Sequence, residues 1–284
     1  TFKAALRALG VDSETRVLVL VSKPPDPAVE AEILTEVERI GKPAVLAFIG
    51  SRPEAGSAMK AVAVETLAEA AEAAVALARN EGWTARGLPQ MEAAHRPWIE
   101  DQRRRLAAGQ RFVRGLYSGG TLADEAALLL ARRLPSVSAL TAMPGVAVLP
   151  DANRGVGHAV VDLGEDIFTR GRPHPIIDPT LRIERLRREA EDPEVAVILL
   201  DVVLGYGAHP DPAGALVPAI RAARAGRTAG AGGLVVIASV VGTEGDPQGY
   251  SRQRAVLEEA GVWVAESNTE AALVAAGLLA ERPE

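Results

Sequence analysis

The sequence predicts an α/β protein built from two copies of one helix–strand unit, and three observations support this. Apolar runs of strand length alternate with helical segments, an order typical of mainly parallel sheets. The tripeptide Asp-Pro-Ala opens a predicted helix twice, at 26–28 and at 211–213. Residues 262–279 can be laid over residues 61–78 without a gap. An ordered series of matching elements indicates an internal repeat.

The elements follow from periodicity, β-branched runs and turn residues. In the first copy we predict helices over 2–9, 28–40 and 67–78 and strands over 17–21, 43–49 and 61–64. In the second copy we predict strands over 112–118, 158–163, 195–203 and 234–241, helices over 121–134, 181–191 and 211–225, and the closing segment 262–279.

The two copies are unequal, because the first opens directly on its helix and lacks a leading strand. Either the chain is a fragment or a partner supplies that strand. We predict an α/β domain over 1–82, a linker with a charged helix (91–108) over 83–110, and a second α/β domain over 111–284.

Composition limits the class of protein. Hydrophobic residues make up 48% and charged residues 24%, as in a globular protein with a substantial core. The net charge of −6 argues against a nucleic-acid surface. The absence of cysteine excludes disulfides and thiolate chemistry. No apolar run is long enough to span a membrane and no signal peptide is evident, so we expect a cytoplasmic protein without a membrane partner.

The polar residues at the end of strand 195–203 form the first candidate site. Asp201 interrupts this apolar run, and Gly205 and Gly207 follow it. Ligands of open α/β sheets bind at the carboxyl ends of strands. Asp201 either faces a ligand or is satisfied by neighbouring backbone N–H groups. His209 is a candidate acid, base or phosphate ligand, whereas Asp211 fits a helix N-cap better.

A glycine turn forms the second candidate site. Ser118, Gly119, Gly120 and Thr121 lie between a strand and a helix, where free backbone N–H groups bind anions. Alternatively, Thr121 is a simple N-cap, with Asp124 at the capping-box position.

A proline-stiffened loop forms the third. Arg170, Arg172 and His174 can together hold a phosphate or a carboxylate. The alternative is a rigid connection with solvated arginines. We predict no metal site, because His174, His209 and Asp201 lack a recognisable ligand spacing. No Gly-x-Ser-x-Gly elbow and no dinucleotide fingerprint are present.

Four strings carry a family resemblance: SGGTLADEA (118–126), DLGEDIFTRGRPHPIIDP (162–179), DPEVAVILLDVVLGYGAHPDPA (192–213) and VVGTEGDPQGYSRQ (240–253). They resemble the FdrA family, which is related to succinyl-CoA synthetase and described as acyl-CoA synthetase-like. The first half resembles the α-subunit ligase domain more loosely. The resemblance implies two flavodoxin-like domains, the first α-subunit-like and incomplete, the second β-subunit-like.

The resemblance also implies chemistry. The synthetases use a phosphohistidine in a loop that here reads GSRPEAGS (50–57) and has no histidine. Within the family a carbamoyltransferase reaction on carbamoyl phosphate is also described. We therefore expect a subunit of an acyl-transferring enzyme, first as a carbamoyltransferase and alternatively as an acyl-CoA synthetase using CoA and ATP. A non-catalytic scaffold is the third alternative.

The expected roles are as follows. Ser118, Gly119, Gly120 and Thr121, with Arg170, Gly205, Gly207 and Thr243, would bind the phosphate or substrate. Arg172, His174, Asp201 and His209 would be catalytic, by neutralising charge or moving a proton. The expected partners are an acyl phosphate or acyl-CoA and, for assembly, further copies or other subunits.

Overall fold

The computed structural model describes residues 2–51, 60–227 and 232–280. They form two compact units, Thr1–Arg86 and Gly87–Glu284. Both units are α/β, and the strands of each sheet pair in parallel, which confirms the predicted fold class. The predicted loop 50–57 lies outside the described residues from position 52 onward. In the described part of the chain, no helix combines the length and apolar character needed to cross a membrane.

The first unit has six elements: α1 (Phe2–Val11), β1 (Leu18–Ser22), α2 (Pro27–Ile40), β2 (Ala44–Phe48), β3 (Ala61–Ala63) and α3 (Leu67–Ala78). Its sheet order is β1-β2-β3. Leu18 and Leu20 are buried in the core beneath α1 and α2. On the opposite face of β1, Val19 and Val21 are 47% and 42% exposed. Among the described residues, β1 pairs with β2 alone.

The second unit begins with two helices and a seven-stranded sheet follows. Its elements are α4 (Leu88–Ala93), α5 (Arg96–Arg105), β4 (Phe112–Tyr117), α6 (Gly120–Ala131), β5 (Val137–Ala139), β6 (Ala147–Val148), β7 (His158–Asp162), α7 (Asp166–Thr169), α8 (Thr180–Glu191), β8 (Val195–Val203), α9 (Pro212–Ala225), β9 (Val235–Val241), α10 (Tyr250–Glu259), β10 (Trp263–Ala265) and α11 (Asn268–Leu279). The strand order is β10-β9-β8-β4-β7-β5-β6.

Strand β8 is the centre of this core, because it is buried on both faces as parallel strands usually are. Ile198 and Leu200 face one apolar cluster, and Val197 and Leu199 face the other. Helix α11 lies in the second cluster, and all its residues except Glu270 are buried.

The predicted helix over 91–108 is wrong as a single helix. The structure has two helices there, α4 and α5, and Pro97 lies in the first turn of α5. Proline has no N–H and its ring clashes with the carbonyl four residues earlier, so Pro97 favours the start of a helix over its interior, although α9 continues through Pro218. Helices α7 and α10 and the short strands β5 and β6 were not predicted.

Helices α3 and α11, which correspond in the internal repeat, begin with the same pattern of hydrogen bonds. The N-cap Thr66 accepts from the backbone N–H of Glu69 at the start of α3. The N-cap Ser267 accepts from the N–H of Glu270 at the start of α11 in the same way. Each glutamate carboxylate in turn accepts a hydrogen bond from the backbone N–H of the residue before the cap, Glu65 or Glu266. The two helices thus begin with the same reciprocal capping arrangement.

His158 makes the stability of the second unit depend on pH. Burial and the nearby Arg114 guanidinium lower the pKa of His158 from 6.5 to about 4. As the pH falls below 6.5, His158 of the unfolded chain becomes protonated while His158 of the folded chain stays neutral until about pH 4. The free energy of unfolding is therefore highest above pH 6.5 and decreases as the pH drops toward 4. Between pH 7 and pH 4.5 we expect a loss of about 2.5 kcal/mol, because one pKa unit is worth ~1.4 kcal/mol and this interval covers about two units of the shift.

Urea unfolding at pH 7 and pH 4.5 measures this loss. In the wild type, His158 Nδ1 accepts a hydrogen bond from the Val113 N–H. His158→Asn keeps a side-chain oxygen that can accept this bond. The variant should lose that part of the pH dependence. An equal pH dependence in the variant and the wild type would contradict the assignment.

Candidate functional site

The second sheet has a topological switch point between β4 and β8. From β4 the chain first builds β5, β6 and β7 on one side, and it then crosses to build β8, β9 and β10 on the other. At such a reversal the connections leave in opposite directions, which opens a crevice at the carboxyl ends of the two strands. The turn 118–120 follows β4 at this crevice.

Asp201 holds that turn in place. Ser118 donates from its backbone N–H to Asp201 Oδ1 at 2.9 Å and from its hydroxyl to Oδ2 at 3.1 Å. Asp201 has no exposed surface. Of the two alternatives for this residue, the second is nearer to the structure, although the donors are one backbone N–H, a hydroxyl and a guanidinium and not backbone N–H groups alone. The Asp201 carboxylate is therefore occupied within the protein, where it fixes the Ser118 turn.

Arg182 neutralises the buried carboxylate. Its Nη2 lies 2.6 Å from Asp201 Oδ1. The guanidinium also donates to the backbone carbonyl of Leu116 from Nε at 3.0 Å and to that of Asp201. Arg182 thus fills the space where β4 and β8 separate and satisfies carbonyl groups at the end of both strands. It is 3% exposed.

Helix α6 begins at the crevice without a side-chain cap. Its N-cap is Gly119, with φ −118° and ψ 116°, which has no side chain to cap the first turn. Gly120 is the first helical residue, so Thr121 lies inside the helix. The alternative of Thr121 as N-cap is therefore wrong. Backbone N–H groups of such a first turn have no partner within the helix and favour anions.

The loops after β7 form one wall of the crevice. His174 Nδ1 accepts from the backbone N–H of Ile176 at 3.2 Å. Its other nitrogen lies against Gly164, where a Cβ would come within 2.9 Å of the Ser118 carbonyl oxygen and closer still to the imidazole. Only glycine leaves room for the ring beside the turn. His174 and Ser118 are therefore brought together as predicted candidates.

Asp162 lies at the same place and was not predicted. Its Oδ1 accepts from the Gly164 N–H at 2.8 Å. Its Oδ2 lies 2.7 Å from where a Cβ on Gly120 would be. Burial raises the pKa of Asp162, and Glu165 and Asp201 raise it further, while the Gly164 N–H and His174 oppose the shift.

The His209 loop touches the His174 loop through the backbone. The His209 N–H donates to the carbonyl of Ile176 at 2.8 Å. His209 Nδ1 accepts from the N–H of Asp211, which occupies the N-cap position of α9. Both histidines thus use Nδ1 as an acceptor inside the protein, which leaves Nε2 as the nitrogen that can act on a ligand.

Three further predicted ligand residues either have hydrogen-bond partners of their own or are exposed. Gln248 accepts from the Gly205 N–H and donates to its carbonyl, so that amide is occupied. The Thr243 N–H and hydroxyl donate to Asp246 within their own turn. Gly207 is exposed. We leave these three residues out of the proposed site.

Arg170 and Arg172 lie on the exposed loop after α7. Within residues 2–51, 60–227 and 232–280, neither guanidinium has a hydrogen-bond or ion-pair partner. The structure therefore shows two uncommitted cations on this loop, and it records no contact between them and the Ser118 turn. Among the same residues, no cluster of histidine and carboxylate side chains could hold a metal ion.

Comparison with known proteins identifies the family to which the chain belongs. Residues 116–278 match the CoA-ligase family. The chain therefore belongs to the CoA-ligase family, and the matched range includes the whole crevice. The uncharacterized protein YahF of Escherichia coli K12 is 37% identical over 273 residues, which cover 95% of this chain and 52% of YahF. The chain thus spans about half the length of this curated relative.

Two solved structures are similar to this chain at much lower sequence identity. A dinucleotide-forming acetyl-coenzyme A synthetase from Ca. Korarchaeum cryptofilum is 14% identical with a TM-score of 0.44, over 98% of this chain and 56% of that one. An ATP citrate lyase (D541A mutant) from Methanosaeta concilii, in complex with (3S)-citryl-CoA, is 11% identical with a TM-score of 0.35, over 96% and 36%.

Proposed function

We propose that the second unit is the ligase half of an acyl-CoA synthetase-type enzyme. In this proposal the crevice between β4 and β8 binds the phosphoryl or carboxylate group of an activated acyl substrate. The observation that carries it is the turn at Ser118, which the buried Asp201 fixes while helix α6 begins beside it without a side-chain cap. Membership of the CoA-ligase family, over a range that includes this crevice, supports it.

The chemistry assigned to the site is transfer of an acyl group to the CoA thiol. The sulfur attacks the acyl carbon, the bond from that carbon to the phosphate oxygen breaks, and phosphate leaves with the bonding electrons. Backbone N–H groups of Gly120 and Thr121 would stabilise the leaving anion, as preorganised donors do. The thiol proton leaves with the phosphate, and the Nε2–H groups of His174 and His209, whose Nδ1 atoms accept backbone N–H groups, would donate hydrogen bonds to the departing oxygens. Arg172, with Arg170, would neutralise phosphate charge.

The finer assignments are also proposals. An FdrA-type enzyme agrees with the four strings in the sequence, whereas carbamoyl transfer from carbamoyl phosphate gains no support from the relatives described above. The acyl-CoA synthetase, expected only as the alternative, is therefore our first choice. We further propose that Thr1–Arg86 corresponds to the α-subunit-like domain, and that the protein acts with further copies or other subunits in the cytoplasm.

Anion binding at the crevice can be tested with Arg172→Ala. Arg172 is exposed and has no protein partner in the described ranges, so its removal should leave the melting temperature of the free protein unchanged. Thermal-shift titrations would use inorganic phosphate, acetyl phosphate, carbamoyl phosphate, CoA and ATP. For a Kd of about 1 mM, about 10 mM ligand adds ~1.4 kcal/mol, or a few degrees.

We expect phosphate and acetyl phosphate to stabilise the wild type, and Arg172→Ala to lose most of that shift. Arg221→Ala, which removes an exposed arginine of α9, is the matched control and should behave as the wild type. A response to carbamoyl phosphate alone would favour the transferase. If no phosphate compound stabilises the wild type, the proposal fails and the scaffold alternative is favoured.

A further inference from the structure

Asp162 occupies a position that the proposed mechanism does not use. It is the last residue of β7 and pairs in register with Tyr117, the last residue of β4. Its two oxygens differ. Oδ1 accepts from the Gly164 N–H at 2.8 Å, whereas within the described residues no hydrogen bond to Oδ2 is present. Oδ2 faces the Cα of Gly120, the first residue of α6.

A carboxylate therefore lies beside the first residue of α6, next to the N–H groups where the proposed anion would bind. A helix N-terminus stabilises one nearby negative charge, and here the protein supplies such a charge itself. A phosphate or carboxylate ligand on the same N–H groups would lie within a few ångströms of Asp162. Two like charges at that distance repel each other, and the repulsion is strong where water is partly excluded.

The charged groups around Asp162 favour protonation of its carboxyl when an anion binds, because protonation removes the repulsion between the two negative charges. Glu165 from its own loop and Asp201 from β8 are both acidic, and His174 is the opposing basic group. The charge of Asp201 is already matched by Arg182. The groups that β4 and α6 place here are the backbone of Ser118 and Gly120. Partial burial already raises the pKa of Asp162 in the free protein, and an added anion would raise it further.

We propose that Asp162 is a positioning residue that couples anion binding at the crevice to the uptake of one proton. Ionised, its carboxylate competes with the ligand for the start of α6. Protonated, it stops repelling the ligand and its Oδ2–H can donate a hydrogen bond to a ligand oxygen. The crevice thus binds the anion together with a proton, and binding weakens as the pH rises. This inference rests on the proposed function.

Sulfate is the probe for this coupling, because it stays a dianion over the whole pH range used. Titration calorimetry at several pH values between about 5.5 and 8 gives the affinity, and buffers of different ionisation enthalpy give the protons taken up. Asp162→Asn keeps an oxygen that accepts from the Gly164 N–H and removes the charge. Asp166→Asn, an exposed acid of α7, is the matched control.

We expect sulfate affinity of the wild type to rise as the pH falls, with net proton uptake. Asp162→Asn should bind at least tenfold more tightly at pH 8 and take up fewer protons, while Asp166→Asn follows the wild type.

The outcomes separate the two proposals. If Asp162→Asn binds sulfate with the affinity and proton uptake of the wild type, the role of Asp162 is refuted while the crevice remains an anion site. If neither protein binds sulfate or phosphate, the proposed function fails, and the coupling fails with it. A melting temperature within a few degrees of the wild type shows that the variant is folded.

Discussion

Arg182→Met should lower the unfolding free energy of the second unit by about 3–5 kcal/mol, the usual cost of removing one partner of a buried ion pair. Arg182 and Asp201 are 3% and 0% exposed. Methionine would fill much of the space, but it would leave the Asp201 carboxylate uncompensated. It would also remove the donors to the carbonyls of Leu116 and Asp201. Each such buried loss adds to the cost.

Urea unfolding followed by near-ultraviolet circular dichroism measures this effect in the second unit, where Trp98 and Trp263 stack at 4.9 Å. Arg187→Met changes an exposed arginine of the same helix and should cost less than about 0.5 kcal/mol. Adding Asp201→Asn to Arg182→Met removes the stranded charge and should recover part of the loss. A loss below 1 kcal/mol in Arg182→Met would show that the pair is not a major support of the fold.

Gly164→Ala should strongly weaken anion binding at the crevice. The new Cβ would lie 2.9 Å from the Ser118 carbonyl oxygen and closer to the His174 ring. The imidazole can rotate away, but the carbonyl belongs to the backbone and moves only with the turn. We expect more than tenfold weaker binding of sulfate and phosphate. Overpacking of this kind also costs ~1–3 kcal/mol of stability.

Calorimetric titration of the folded variant measures that binding. Gly109→Ala is the matched change, because a Cβ on this exposed glycine meets nothing within 4 Å. It should bind sulfate within twofold of the wild type. If Gly164→Ala binds sulfate as tightly as Gly109→Ala does, the wall formed by His174 and the Ser118 turn is not part of the anion site.

Elements with one strong local signal could be predicted from the sequence. The bounds of β8 and α3 agree with the predicted 195–203 and 67–78, because a β-branched run ended by glycine and a capped alanine-rich segment each have one favourable local structure. The single helix predicted over 91–108 is interrupted between the C-cap of α4, Ala94, and the N-cap of α5, His95, and Pro97 falls in the first turn that follows. Helix α10 was missed because its polar sequence has few apolar positions.

The candidate site was predicted only where its residues are close in sequence. The Ser118 turn and His174 were found from glycine and proline patterns. Arg182 was missed because it lies in a charged helix, although Arg182, Arg185, Leu186 and Glu189 form its buried face at the spacing of one helix stripe. A lone aspartate in an apolar strand requires a cation, and that requirement could have directed attention to this stripe. The groups near Asp162 are brought there by the order of the strands in the sheet, and that order cannot be read from the sequence.

Helix α11 has a consequence for the synthesis of the protein. It contacts α5 through Arg103 and Gly277, 174 residues apart, and the α4–α5 junction through His95 and Glu270, 175 residues apart. Until α11 has left the ribosome, the apolar faces of α5 and α6 that it covers remain open to water and to chaperones. The second unit can complete its core only after nearly all of its chain has been translated. Its folding on the ribosome is therefore expected to be late and concerted.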